Sequence, residues 1–395
     1  MPEQPSDSSL EWGPRWPPVG RICQLTPPGR GAVASVRWEG DLTVWETPKP
    51  LALTRAGTAV SRLPLNRVCL ARWGGAEAPE EVVLCRLTET VVEIHCHGGR
   101  AAVARIVRDL IARGGRVESP EALLDRTQPR LEAECQWALW HTTTERTASL
   151  VAAQASGLLR RELERIRACP DPAMARTSLD RLLQWERFGR HLTQPWSVVL
   201  CGRPNVGKSS LLNALVGYGR AIVSPQPGAT RDVVTAETVL EGWPIVLADT
   251  AGLREAQEAI ESAGIERGRA RRQTADLVLL ILDLGEPPTP EDDALLASAG
   301  EGLVVAHKCD LPTRWPNGGP PGAIPVSSLT GAGLNQLAQA ILGRLVPEVP
   351  TSETAFPITA ALAEALRHIR SLTEHPDRAA LNRAWGRLLD PPREK

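Results

Sequence analysis

The stretch Gly202-Arg203-Pro204-Asn205-Val206-Gly207-Lys208-Ser209 constrains this chain more than any other. It has the spacing G-x-x-x-x-G-K-[ST], which arises by chance in about 1% of chains of this length at average composition. The apolar run WSVVLC (196–201) precedes it and a helical pattern follows. Strand, glycine loop and helix in that order make a phosphate cradle. Its glycines let backbone N–H groups turn inward around a β-phosphate. The helix N-terminus adds partial positive charge. Lys208 then reaches the β- and γ-phosphates, and the Ser209 hydroxyl holds Mg²⁺.

From residue 196 onward, short apolar runs alternate with helical stretches. DVVTAETVL (232–240), PIVLAD (244–249), ADLVLLILD (275–283), GLVVAHK (302–308) and AIPVSS (323–328) read as strands. That alternation predicts an α/β unit, a mostly parallel sheet covered by helices. Either side of it the rhythm differs. VGRICQLTPPGRGAVASVR (19–37) reads as strand, turn, strand, and EVVLCRLTETVVEIHCHGG (81–99) as two more strands. An amphipathic helix follows, stopped by Gly114-Gly115. Residues 131–168 contain only Gly157 as a breaker, so one long helix or two abutting helices are expected, ended by Pro170 and Pro172. Helix is also expected over 174–192, and over 357–390 with a break at Pro376. The predicted organisation is multidomain. It comprises a disordered Pro-rich leader (1–18), an α+β N-terminal domain (19–117) and a helical domain (118–194 and 347–395). A P-loop α/β domain (195–346) is inserted into the helical one.

Composition closes off several classes. A formal net charge of −1 gives no global pull toward nucleic acid or membrane. The longest strongly apolar run, LVLLIL (277–282), is far too short to span a bilayer. The N-terminus lacks the basic start and apolar core of a secretory signal. Eight cysteines without a C-x-x-C pair indicate reduced thiols and a cytoplasmic setting. His95-Cys96-His97 falls on a predicted strand, where the two histidines share a face and Cys96 points away, an arrangement that disfavours zinc. Only Lys49, Lys208, Lys308 and Lys395 stand among 45 basic residues. Lysines that persist in an arginine-rich chain mark positions that need a compact ammonium.

Further motifs follow the phosphate loop in order. GATRD supplies Thr230, a hydroxyl to complete the magnesium shell and sense a γ-phosphate. VLADTAG ends a strand at Asp249, the water-mediated magnesium acid, and is followed by Thr250, Ala251 and Gly252, whose backbone N–H can meet the γ-phosphate. HKCD places Lys308 and Asp310 as in the base-reading N-K-x-D loop, with His307 in place of Asn. An Asp there takes guanine N1–H and N2–H₂, a donor pair that adenine lacks. His307 offers one hydrogen bond per ring nitrogen but a different reach from Asn. Somewhat weaker affinity with an intact guanine preference is therefore expected. PVSSLTGAG resembles the Ser-Ala-Lys base loop, with Ser327, Ser328 and Leu329 presenting backbone N–H to guanine O6.

Taken together, these motifs resemble the tRNA-modification GTPase family MnmE, also called TrmE. GRPNVGKSSLLNAL (202–215) and DTAGLREAQEAIESAGIERG (249–268) carry the likeness, as do TPPGRGAVASVR (26–37) and VVEIHCHGG (91–99) in the N-terminal domain. The resemblance implies a K⁺-dependent GTPase acting in wobble-uridine modification of tRNA, of the C5 carboxymethylaminomethyl type. Its implied partners are tRNA and an FAD-dependent protein, with homodimerisation through the N-terminal domain and no membrane. GTP contacts are implied for Asn205, Val206, Gly207, Lys208, Ser209 and Ser210, for Ser224, Gly228, Ala229 and Thr230, and for the Asp249–Gly252 and base loops. Potassium would be caged by Asn205, Ser224, Gln226 and Ala229. It offsets charge between the β- and γ-phosphates as an arginine finger does. Glu261 matches the carboxylate that helps orient the attacking water, and it reads otherwise as a solvated helix charge. Arg37 and Glu93 match residues that bind a tetrahydrofolate, and read otherwise as strand-end charges.

Two departures stand out. The family motif after the N-terminal domain is rewritten as ESPEALLDRTQPRLEAE (118–134), with its lysine replaced near Thr127. The family's terminal Cys-Ile-Gly-Lys signature has no counterpart in AWGRLLDPPREK (384–395). The alternative reading is a divergent paralogue, a GTP-dependent conformational switch without tRNA chemistry.

Overall fold

The computed structural model describes residues 19–29, 31–74, 79–219, 235–249, 275–298, 300–374 and 377–392. The leader expected over 1–18 lies outside them. Two compact units divide the chain, one of residues 1–128 with 392–395 and one of 129–391.

In the first unit seven strands form one sheet: β1 (Gly20–Gln24), β2 (Val33–Gly40), β3 (Ala52–Thr54), β4 (Val68–Trp73), β5 (Glu80–Arg86), β6 (Val91–His97) and β7 (Gly115–Glu118). Their order is β3-β4-β5-β6-β2-β1-β7, antiparallel except for the parallel β1–β7 pair. The helix Arg100–Ile111 buries Ile106 and Leu110 in the same core as Trp38, Trp45 and Trp73, whose rings meet edge to face. The four strands read from 19–37 and 81–99 are present. β3, β4 and β7 were not expected. In β4 exposed Val68 and Leu70 offset buried Ala71 and Trp73, so alternation of residue type is lost. The compact unit ends at Gln128 rather than at 117. β7 pairs with β1, and Arg126 on the helix Pro120–Thr127 holds both Glu39 and Glu118. Ser119 caps that helix, with Pro120 in its first turn.

The second unit begins with helices. Residues 130–167 form Arg130–His141, Glu145–Ala153 and Leu159–Arg167, joined in the last case by a π-helical turn, Gln154–Leu158. Gly157 turns that junction with φ +97°. The earlier break has no Gly or Pro. The first helix ends at Thr142, and Thr144 caps the next by accepting from the Thr147 N–H. Helices Pro172–Leu183, Ala360–Leu372 and Arg378–Leu389 complete the bundle. The buried Gln154 side chain donates from Nε2 to the Thr354 carbonyl and accepts at Oε1 from the Phe356 N–H, so chain from before and after the α/β segment is stitched together.

The intervening sheet holds β8 (Trp196–Cys201), β9 (Thr235–Leu240), β10 (Trp243–Asp249), β11 (Leu277–Asp283), β12 (Leu303–His307) and β13 (Ile324–Val326). Their order is β13-β12-β11-β8-β10-β9, parallel except for β9, which runs antiparallel to β10. This P-loop sheet is thus mostly parallel but mixed at one edge. Its central strands are nearly continuous apolar runs because helices cover both faces. Val198, Leu200, Leu279 and Ile281 are fully buried, each contributing roughly 1.5–3 kcal/mol. No described helix is long and apolar enough to cross a membrane.

Candidate nucleotide site

β8, β10, β11 and β12 all point their C-terminal ends to one edge of the sheet, where ligands bind in open α/β folds. The phosphate loop leaves β8 and enters the helix Lys208–Tyr218. Asn205 (φ +63°) and Gly207 (φ +95°) curl the loop into the left-handed region. Lys208 is buried, and its Nζ donates to the carbonyls of Gly202 (3.0 Å) and Arg203 (2.7 Å). Its ammonium thus lies inside the loop, at the helix N-terminus that would face a phosphate. Ser210 follows two residues on, exposed on the same first turn.

Asp249, at the end of β10, accepts from the Ser209 hydroxyl at 2.7 Å. A hydroxyl beside a carboxylate at a phosphate loop is a hard-oxygen donor set suited to Mg²⁺, which keeps most of its waters.

The base loop grows from β12. His307, its last residue, is 3% exposed. Its Nδ1 lies 2.8 Å from the Val206 carbonyl and its Nε2 2.7 Å from the Ser328 hydroxyl. One imidazole therefore bridges the phosphate loop and the second base loop. Burial, reinforced by the neighbouring Lys308 charge, depresses the pKa of this ring below the ordinary 6.5, while Asp283 and Asp310 pull the other way. Lys308 (φ +59°) sends its Nζ to the Asp283 carboxylate at 2.6 Å and to the Asn205 carbonyl at 3.3 Å. Asp310 is held below the usual carboxylate range, first by a hydrogen bond from the Ser327 side chain and then by backbone and nearby positive charge. It is therefore an acceptor-only group at neutral pH. Ser327 is buried and accepts from the Thr330 N–H, while Leu329 is 86% exposed.

Phosphate-loop residues Asn205, Val206, Gly207, Lys208, Ser209 and Ser210 thus lie at one edge with Asp249, His307, Lys308, Asp310, Ser327, Ser328 and Leu329. Ser224, Gln226, Gly228, Ala229, Thr230, Thr250, Ala251, Gly252 and Glu261 lie outside the described residues. Arg37 and Glu93 belong to the other unit, as cross-strand partners on β2 and β6. Two contributors carry no motif. Asp283 ends β11 and anchors Lys308, a role its position at a strand end could have suggested. Asp292, fully buried, accepts from Arg203 Nε at 2.7 Å and closes a capping box with Thr289.

A family model described as 50S ribosome-binding GTPase matches residues 197–308. The tRNA modification GTPase MnmE of Synechococcus sp. (strain WH7803) is 34% identical, covering 82% of this chain and 81% of that protein. A Thermus thermophilus MnmE is 33% identical, covering 89% of this chain and 90% of that protein. The chain belongs to the MnmE family of tRNA modification GTPases. It is a GTPase, and membership of this family implies that it binds GTP and Mg²⁺. The MnmE of Chloroflexus aurantiacus, 32% identical over 88% of each chain, shows that the MnmE likeness extends well beyond the P-loop sheet.

Proposed function

We propose that this MnmE-family GTPase serves wobble-uridine modification of tRNA in the cytoplasm, with tRNA and an FAD-dependent protein as partners. The observation that carries the reading is the convergence of Lys208, the Ser209–Asp249 pair and the His307–Asp310 loop at one sheet edge, in a chain related to MnmE proteins over most of its length. In this reading Asp310 accepts from guanine, Lys208 neutralises the β- and γ-phosphates, and Ser209 with Thr230 orders the magnesium shell. Glu261 orients the attacking water. Asn205, Ser224, Gln226 and Ala229 take K⁺, a charge that can stand in for an arginine finger worth about 10³-fold or more. Two copies pair through the N-terminal unit, where Arg37 and Glu93 receive a tetrahydrofolate. Arg37 Nε is buried without a hydrogen-bond partner, which fits a polar ligand.

A switch without tRNA chemistry is the second reading, favoured by the rewritten segment ESPEALLDRTQPRLEAE (118–134). Mass spectrometry of tRNA from a deletion strain separates the two. Loss of the wobble modification supports the first, and an unchanged modification profile refutes it.

A further inference from the structure

The chain departs from the usual GTPase base loops at His307, Ser328 and Leu329, and the first two departures touch. His307 stands where N-K-x-D has Asn, and Ser328 stands where Ser-Ala-Lys has Ala. Their side chains meet at 2.7 Å.

The hydrogen-bond roles follow from chemistry. Val206 offers only a carbonyl oxygen, so His307 Nδ1 carries the proton and donates to it. A neutral ring then has a lone pair at Nε2, which accepts from the Ser328 hydroxyl. The ring has no slack. A Cβ built on Gly207 would fall 2.5 Å from His307 Cε1, so the imidazole lies directly on the phosphate-loop backbone. With His307 3% exposed, water cannot readily replace the serine, and an unsatisfied buried nitrogen is costly. An Asn side chain is shorter and spends its amide on the phosphate loop, which leaves the residue at 328 without a partner to serve.

We infer that His307 and Ser328 are one coupled positioning unit, which sets the guanine loops against the phosphate loop and makes the Ser328 side chain a determinant of guanine-nucleotide affinity. The inference rests on the GTPase reading of the site. Neither residue touches the reacting atoms, and their effect passes through the placement of Asp310 and the Ser327–Leu329 backbone.

A double-mutant cycle on GDP affinity tests the coupling, using fluorescent GDP and the full chain. Ser328→Ala alone should weaken GDP about fivefold to tenfold, the loss of one buried hydrogen bond. In a His307→Asn background the same change should have no effect, and the double variant should bind within about twofold of wild type. The KM for GTP should follow the affinity. A second readout is pH. Protonation would place N–H at Nε2 and reverse the bond to Ser328, with Lys308, Asp283 and Asp310 the charged groups facing the ring. Wild-type GDP affinity should therefore fall as the pH drops below the ordinary histidine value of 6.5, and the double variant's should not. Additive effects of the two substitutions, or identical pH profiles, overturn the coupling. Failure of the folded wild-type protein to bind GDP at all would instead overturn the GTPase reading beneath it. Melting temperatures of all four proteins separate lost affinity from lost fold.

Discussion

Lys308→Met should destabilise the nucleotide-free P-loop sheet by stranding Asp283, a residue no motif names. The Asp283 side chain is 5% exposed and its ion pair to Lys308 measures 2.6 Å. Removing one partner of a buried pair costs about 3–5 kcal/mol, because the other charge is stranded. Two features place this case lower. Lys308 is 34% exposed, so water already screens its end of the pair. Asp283 also keeps one bond, from the Gly285 N–H at 2.8 Å. A cost of about 2–3 kcal/mol follows, or a fall in melting temperature of roughly 5–8 °C for a unit of this size. Asp283→Asn in the same protein removes the stranded charge and should recover more than half of the loss. Scanning calorimetry without nucleotide reads both. A Lys308→Met melting temperature within about 1–2 °C of wild type would refute the reasoning, as would a double variant no more stable than the single.

Gly207→Ala should cost at least about tenfold in GDP affinity, since the new Cβ would sit 2.5 Å from His307 at φ +95°; titration with fluorescent GDP reads it. The depressed pKa of His307 sets a direction for stability. Its contribution is present above the unfolded value of 6.5 and is lost as pH falls toward the lower folded value. His307→Asn should flatten the pH dependence of melting as pH falls through and below 6.5, and parallel curves would contradict it. GTP turnover should be faster in KCl than in NaCl, and equal rates would count against the potassium cage.

The phosphate loop and both base loops were legible because their chemistry depends on fixed local spacing. Asp249 and Asp310 could be named without coordinates, since strand end and motif coincide. Asp283 went unnamed, since its strand end carries no motif and its partner lies 25 residues away, a neighbour only when β11 and β12 pair. His307 was visible as a departure, but its reach to Val206 and Ser328 depends on three loops meeting. The bundle showed the same limit. Gly157 announced a break by its lack of a side chain, whereas the break at Thr142–Thr144 rests on a threonine cap that resembles any polar helix face. β7 and the helix Pro120–Thr127 escape a reading from sequence because four residues of strand give too little periodicity to mark where the first unit ends.

The most direct test is nucleotide choice in turnover by the full chain, measured with Mg²⁺ and K⁺ for GTP and ATP side by side. A carboxylate at Asp310 built to receive two guanine donors should favour GTP by about a hundredfold or more, and Asp310→Asn should erase most of that preference. Equal turnover of GTP and ATP by the wild-type protein, or an Asp310→Asn variant that keeps the preference, would contradict the account.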